Sequence, residues 1–214
     1  MFLCGVVAAG KDTVLEQVLV NSDYRRLITH TTRPPRANNG IMEQNGINYY
    51  FVSVDEMADL LARHQMVEIN NFGGNYYGAS VAEIKKANDA GKVIVAAIDV
   101  HGVHSFRNIA PDNVTAIFIV PPDYDTWIKR LDKRYESKSE SLAQIWQERS
   151  SIAVDEISHA LNEPGYYFVI NDDLAETVSE LDKTVGRASR GEKIDDFSAR
   201  QAAIKLLSDI KAHI

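Results

Sequence analysis

Short apolar runs alternate along this chain with longer stretches in which apolar residues recur every three or four positions. The runs at 2–4, 93–98, 114–120 and 167–170 are apolar and, taken together, rich in β-branched residues. That pattern predicts strands buried on both faces of a sheet. Between them, residues around 12–20, 103–108, 124–134, 142–161 and 174–185 carry the helical period. Strand, helix and strand in alternation is the rhythm of a parallel α/β sheet.

Residues 30–80 break this rhythm. Segments 48–53 and 66–70 read as short, exposed strands, with a helix between them opened by a Ser53/Glu56 capping box before Met57, Leu60 and Leu61. Gly73-Gly74 predicts a tight turn, and Ser80 with Glu83 predicts a second helix start. Residues 33–80 therefore read as a small mixed insertion beside the main sheet. Residues 132–145, rich in Lys, Glu and Ser with few apolar anchors, suit a mobile lid. Residues 186–193 read as a linker into a terminal helix, on which Phe197, Ile204, Leu207 and Ile214 are expected to form one apolar face. Such a face must be covered, by the chain's own core or by a dimer partner, so a monomer and a homodimer both remain open.

The totals narrow the function classes. A chain of 214 residues with 45% hydrophobic and 25% charged residues can bury one core, and nothing in it resembles a disordered or fibrous composition. A net charge of −7 disfavours broad contact with nucleic-acid backbones. The single cysteine, Cys4, excludes an intrachain disulfide and fits a reducing compartment, so a cytoplasmic location is expected. No apolar stretch approaches a membrane span, and residues 2–9 lack the basic flank of a signal peptide.

The sharpest chemical signal is Gly5-Val-Val-Ala-Ala-Gly10-Lys11-Asp12-Thr13, which follows a strand and opens a helix. Glycines let a backbone curve around phosphate oxygens, and its N–H groups, together with the helix N-terminus, attract an anion. Lys11 would neutralise the β and γ phosphates of a nucleoside triphosphate. Asp12 stands where a Mg²⁺-binding hydroxyl is usual. A carboxylate is also a hard oxygen ligand, so Asp12 is the candidate for Mg²⁺. Gly5, Ala8, Ala9, Gly10, Lys11, Asp12 and Thr13 are thus the expected ATP-binding loop. Further on, Thr31-Thr32-Arg33-Pro34-Pro35-Arg36 holds two arginines in a proline-stiffened segment. This fits a bidentate phosphate site or, equally, a solvated basic turn. No histidines have the spacing of a transition-metal site.

Taken in order, the loop, Thr31–Arg36, Asn48-Tyr49-Tyr50-Phe51-Val52-Ser53, Glu68, Gly74-Asn75-Tyr76-Tyr77-Gly78, Ile98-Asp99 and Val169-Ile170-Asn171-Asp172-Asp173-Leu174 resemble the guanylate kinase family over roughly residues 2–185. The resemblance implies an α/β fold of the P-loop NTPase type: a parallel sheet flanked by helices, a small mixed α+β insertion that binds the nucleoside monophosphate, and a helical lid. It divides the chain into a kinase-like domain at 1–185, containing the acceptor insertion at 33–80 and the lid at 125–150, and a linker with terminal helix at 186–214. It implies transfer of a phosphoryl group from ATP, with Mg²⁺, to GMP or dGMP. Arg33, Arg36, Tyr49 and Tyr77 would hold the acceptor phosphate. Glu68 would read guanine through N1–H and the 2-amino group. Thr29 and Asp99 would complete the acceptor site. Arg130, Arg134 and Arg149 would close on the transferring group, and Asn171 would lie near the ATP adenine.

The chain departs from the family pattern at several positions. Asp12 replaces a hydroxyl, Ala8 a loop glycine, Ala79 a Ser or Thr contacting the acceptor, and Ala97 the first Asp of an Asp-Ile-Asp triplet. The loop at 37–45 and the lid are also a few residues longer than usual. Three readings stay open at this stage: a guanylate kinase, a related kinase for an acceptor such as ribose 1,5-bisphosphate, and a guanylate-kinase-like binding module without catalysis.

Overall fold

A computed structural model describes residues 1–38, 41–136 and 142–214 of the chain. Its elements begin with β1 (Phe2–Cys4), α1 (Lys11–Val18), β2 (Tyr24–Arg26), β3 (His30–Thr31), the hairpin strands β4 (Ala37–Asn38) and β5 (Ile41–Met42), and β6 (Tyr50–Phe51). There follow α2 (Val54–Ala62), β7 (Met66–Phe72), β8 (Asn75–Ser80), α3 (Val81–Asp89), β9 (Val93–Ala97) and α4 (Val100–Ile109). The chain ends with β10 (Ala116–Val120), α5 (Tyr124–Tyr135), α6 (Leu142–Asn162), β11 (Tyr166–Ile170), α7 (Leu174–Ser189) and α8 (Phe197–Ala212). Residues 137–141 of the predicted lid and residues 39–40 of the predicted long loop lie outside the described residues.

Contacts group the chain into two compact units. The first comprises Met1–Val18, Ala97–Val103 and Val114–Ile214. Here β1, β10 and β11 pair in parallel, with Phe2 opposite Ala116 and Phe118 opposite Phe168. Every residue of β10 is buried, which is why its sequence is an unbroken apolar run. Helices α1, α7 and α8 pack on this sheet, and α8 also lies along α5 and α6.

The terminal helix corrects one expectation. Its buried stripe is Ala199, Ala203, Leu206 and Ile210, whereas Phe197, Ile204 and Ile214 are exposed and Leu207 is half-buried. The large apolar residues dominate the periodic signal, whereas the buried stripe is half alanine, a residue small enough to permit a close helix–helix approach. The helix does pack on its own core. The preceding segment finishes the sheet edge: Asp196 accepts the Phe168 N–H at 3.0 Å, and Arg200 donates to the Tyr166 carbonyl at 2.5 Å. These side chains, themselves paired at 3.0 Å, occupy polar groups on β11 that an edge strand otherwise leaves open. A second correction concerns the linker. Helix α7 continues through Gly186 to Ser189 and stops where Gly191, at φ +67°, closes a left-handed cap.

The second unit comprises Leu19–Ala96 and His104–Asn113. It contains the parallel pair β2–β9 and a four-stranded sheet in the order β6-β3-β8-β7. The capping box at Ser53 and Glu56 is formed. Ser80 caps α3, but the Glu83 side chain turns away to accept bonds from Tyr50 at 3.0 Å and from Lys86 at 2.5 Å. Gly73 and Gly74 both have positive φ, as the hairpin turn between β7 and β8 requires. Strand β7 bulges between Met66 and Glu68, so that Met66 faces Ser80 while Glu68 faces Ala79. Gly78 accommodates the crowding there, since a Cβ on it would lie 2.4 Å from the Glu68 carbonyl oxygen.

Candidate active site

The phosphate loop leaves β1 and enters α1 with its carbonyls already engaged. Lys11 Nζ donates to the carbonyls of Gly5 and, at 3.0 Å, Val6. The Trp127 indole donates to Val7 at 2.8 Å, and the Asn171 amide donates to Ala9 at 2.7 Å. In a trans peptide the N–H opposes the C=O, so anchoring carbonyls on the protein side favours a loop that offers N–H groups on the other. Both motif glycines are sterically required. A Cβ on Gly5 would lie 2.4 Å from the Ile119 carbonyl oxygen, and one on Gly10 would lie 2.2 Å from the Asn171 amide nitrogen. Ala8 has φ +62°, so the alanine sits in the left-handed region where the family's glycine is at ease. The replacement costs roughly 1 kcal/mol of backbone strain. Asp12 and Thr13 are exposed on the first turn of α1.

Around this loop the first unit gathers Lys11, Asp12, Asp99, Arg134 and Arg149 by charge. Burial pushes the Lys11 ammonium below the ordinary lysine range, opposed by the charges of Glu156 and Asp12 and aided by that of Arg134. Glu156, on α6, is a residue that sequence reasoning missed. Burial pushes its carboxyl up to about 7; Lys11 and Arg149 pull it down, and Asp99 pushes it further up. Asp99 starts α4, its carboxylate accepting the Gly102 N–H at 2.7 Å. Arg130 donates to the Asn171 carbonyl at 3.0 Å, so this arginine is tied to the strand end beside the loop. Arg149 lies 5.7 Å from the Tyr135 ring centre, and its Nε is buried with no hydrogen-bond partner. Asn171, expected near the ATP adenine, is itself buried, engaging Ala9 and Thr177.

The raised carboxyl of Glu156 carries a stability prediction. An acid whose folded pKa exceeds its unfolded value binds its proton more tightly when folded, so stability falls as pH rises from about 4.5 through about 7. At about 1.4 kcal/mol per unit, less some residual hydration, Glu156→Gln is expected to stabilise the unliganded chain by roughly 2 kcal/mol at pH 8 and to change little at pH 4. Thermal melts at the two pH values measure this, and equal shifts at both would contradict it.

The second unit gathers the other predicted residues. Arg33 is 6% exposed, its guanidinium 5.3 Å from the Tyr49 ring centre, and Tyr49 meets Tyr77 edge-on at 6.1 Å. The arginine segment is held by Glu43, a second residue missed from sequence. Its carboxylate accepts from Arg33 Nη2 at 2.9 Å and from the Arg36 N–H at 2.8 Å. Glu68 sits just beyond the β7 bulge, accepting the Ala79 N–H at 3.0 Å and the Asn70 amide at 2.6 Å. The Thr29 carbonyl accepts the Tyr50 N–H at 2.9 Å, joining its segment to β6.

Comparison with known proteins gives a consistent answer. The guanylate kinase family model matches residues 1–188. The guanylate kinase of Neisseria meningitidis (serogroup A) is 36% identical over 173 residues, which is 80% of this chain and 79% of that protein. The guanylate kinase of Francisella tularensis subsp. holarctica is 36% identical over 179 residues, 82% of this chain and 89% of its own. Among solved structures, guanylate kinase from Anaplasma phagocytophilum superposes with a TM-score of 0.64 at 24% identity, covering 88% of this chain and 85% of that one. Helix α8 lies beyond the matched family model. With a phosphate loop in one unit, an arginine–tyrosine cluster in the other and this similarity along most of its length, the chain belongs to the guanylate kinase family.

Proposed function

We propose that this chain transfers the γ-phosphoryl group of ATP to GMP or dGMP. The bond from the γ phosphorus to the β–γ bridging oxygen breaks, a bond to an oxygen of the acceptor phosphate forms, and ADP leaves. No covalent protein intermediate is needed, so catalysis consists of positioning and charge stabilisation. The observation that carries the acceptor assignment is Glu68, a carboxylate whose plane is fixed by two donors on neighbouring strands. Guanine offers two adjacent donors to such a carboxylate, and adenine does not.

In this reading Gly5, Ala8, Ala9, Gly10, Lys11 and Thr13 hold the donor phosphates, and Asn171 shapes the loop through Ala9. Arg33, Arg36, Tyr49 and Tyr77 hold the acceptor phosphate, with Thr29, Glu68 and Asp99 completing the acceptor site. Lys11, Arg33, Arg130, Arg134 and Arg149 neutralise charge on the group in transfer. The donor set fits a nucleotide-borne Mg²⁺. Among the described residues no three His, Cys, Asp or Glu side chains converge, while Asp12 is a single exposed carboxylate on the first turn of α1. Mg²⁺ at such sites takes one or two carboxylates plus phosphate and water oxygens, and it would supply charge neutralisation on the phosphates. No helix among the described residues is long and apolar enough to cross a membrane; what supports the proposed cytoplasmic placement is the single cysteine, which fits a reducing compartment.

A coupled assay of ATP consumption against a panel of nucleoside monophosphates tests the proposal. GMP or dGMP is expected to turn over at least ~10-fold better than AMP, CMP or UMP, because a site built to accept N1–H and a 2-amino hydrogen loses both bonds with the other bases. A preference for AMP would overturn it.

A further inference from the structure

We propose that Asn70 is a positioning residue for Glu68 and thereby sets how sharply the acceptor base is selected, an inference that rests on the guanine-reading role given to Glu68 above. The two carboxylate oxygens of Glu68 have different donors. Oε1 accepts the Ala79 N–H at 3.0 Å, and Oε2 accepts Asn70 Nδ2 at 2.6 Å. The terminal torsion of a glutamate is broad, and one donor leaves the carboxylate able to turn about that contact. Two donors on two oxygens fix its plane.

The two donors differ in kind. Ala79 lies in the β7–β8 pairing, so the position of its N–H is fixed by the backbone. Its side chain brings no hydroxyl. The other donor is therefore a side chain, and its aim is itself specified. The Asn70 carbonyl Oδ1 faces the Ser105 hydroxyl of α4 in a long contact of 3.4 Å, which is consistent with the amide turned so that its NH₂ faces Glu68. The strand geometry makes the contact possible. Past the bulge between Met66 and Glu68, residues 68 and 70 fall on the same face of β7. A bulge re-aims the side chain beside it, and here that side chain is the base reader.

The consequence is chemical. To accept N1–H and a 2-amino hydrogen together, the carboxylate must lie close to the plane of the base. Rotation sacrifices one of the two bonds. Inosine monophosphate, which has N1–H but no 2-amino group, loses little when the carboxylate turns. The ratio of kcat/KM for GMP over inosine monophosphate therefore reports the plane of Glu68.

The experiment measures that ratio, the KM for ATP and the melting temperature for the full chain and for Asn70→Ala, Asn70→Asp and Ser105→Ala. In Asn70→Ala the GMP KM is expected to rise about tenfold, with the ATP KM within about twofold and the GMP-over-inosine ratio falling by about tenfold. Asn70→Asp keeps the shape, removes the donor and sets a second carboxylate against the first, so its GMP KM should rise further. Ser105→Ala leaves β7 untouched and should lower the ratio by about two- to threefold, because the amide loses its orienting contact. Should both Asn70 variants fail to fold, the Ser105→Ala ratio alone decides. A guanine-preferring wild type whose ratio survives these replacements overturns the role of Asn70 and leaves the function standing. A wild type that does not prefer GMP overturns both.

Discussion

Replacing Lys11 by methionine is expected to lower kcat for phosphoryl transfer roughly 10²–10³-fold, the loss typical when one stabilising group is removed from a developing charge. Methionine keeps an unbranched stem of similar length, so the variant loses charge and donors with little change in packing. In the unliganded chain the ammonium bonds the carbonyls of Gly5 and Val6. Losing those contacts costs about 1.5–3 kcal/mol each, the range for hydrogen bonds to a charged group, offset in part because a cation is no longer buried. The catalytic cost arises separately, because burial has already stripped water from the ammonium, as its lowered pKa reflects. A desolvated cation interacts more strongly with an arriving phosphate than a hydrated one does. Lys11→Arg should not rescue, because a planar guanidinium does not replace a compact point charge in a tight loop. Turnover within tenfold of wild type in Lys11→Met would place the donor phosphates away from this loop.

The legible parts of the fold were those in which burial alone dictates the pattern. Strand β10 is apolar throughout because both of its faces are covered, and its neighbours β1 and β11 read almost as plainly. Strands β2 and β3 were not visible. Tyr24-Arg25-Arg26 is half-buried with two charged residues, and β3 is two residues long, so neither carries a period. Gly186 read as a helix end because glycine is a poor helix former, yet the left-handed cap falls at Gly191. The terminal helix was recognisable by its period, but its face was not, since Ala199 and Ala203 carry no strong hydrophobic signal.

In the candidate site, the sequence points to residues in local motifs, such as the loop glycines, Lys11, Arg33 and Arg36, and the family resemblance adds Glu68, Asp99 and the lid arginines; Glu156, Glu43 and Asn70 carry neither signal. Glu156 belongs to an ordinary amphipathic helix, and only the fold sets it against Lys11, Asp99 and Arg149. Glu43 lies in a stretch read as irregular loop, where a nearby pair of arginines was the available hint. Asn70 needed the bulge at Glu68, which no residue type in that strand declares. The replacement of a loop glycine by Ala8 is plain in the sequence, but its φ of +62° is set by the fold.

Removing the Glu43 carboxylate is expected to destabilise the chain by about 3 kcal/mol, at the lower end of the cost of breaking a buried ion pair. The side chains of Arg33 and Glu43 are 6% and 7% exposed. Glu43→Ala would leave the Arg33 guanidinium with the Pro34 carbonyl at 2.9 Å and the face of Tyr49, neither of which neutralises it. Arg33→Ala combined with Glu43→Ala should recover most of the loss, because no charge is then stranded. Acid should show the same pair. Burial pushes the Glu43 carboxyl up, but the bonds from Arg33 and Arg36 and the charges of both arginines outweigh it and hold the carboxyl below its ordinary range. Its contribution is therefore complete above the unfolded carboxyl value and is lost as pH falls through the depressed folded value, so Glu43→Ala should flatten the acid limb of the stability profile. If Arg33 anchors the acceptor phosphate, GMP restores a partner to the stranded guanidinium and should raise the melting temperature of Glu43→Ala more than that of wild type. Melts across pH 3–7, with and without GMP, measure both effects. A variant as stable as wild type would show that the pair is energetically neutral, and equal stabilisation by GMP would place the acceptor phosphate away from Arg33.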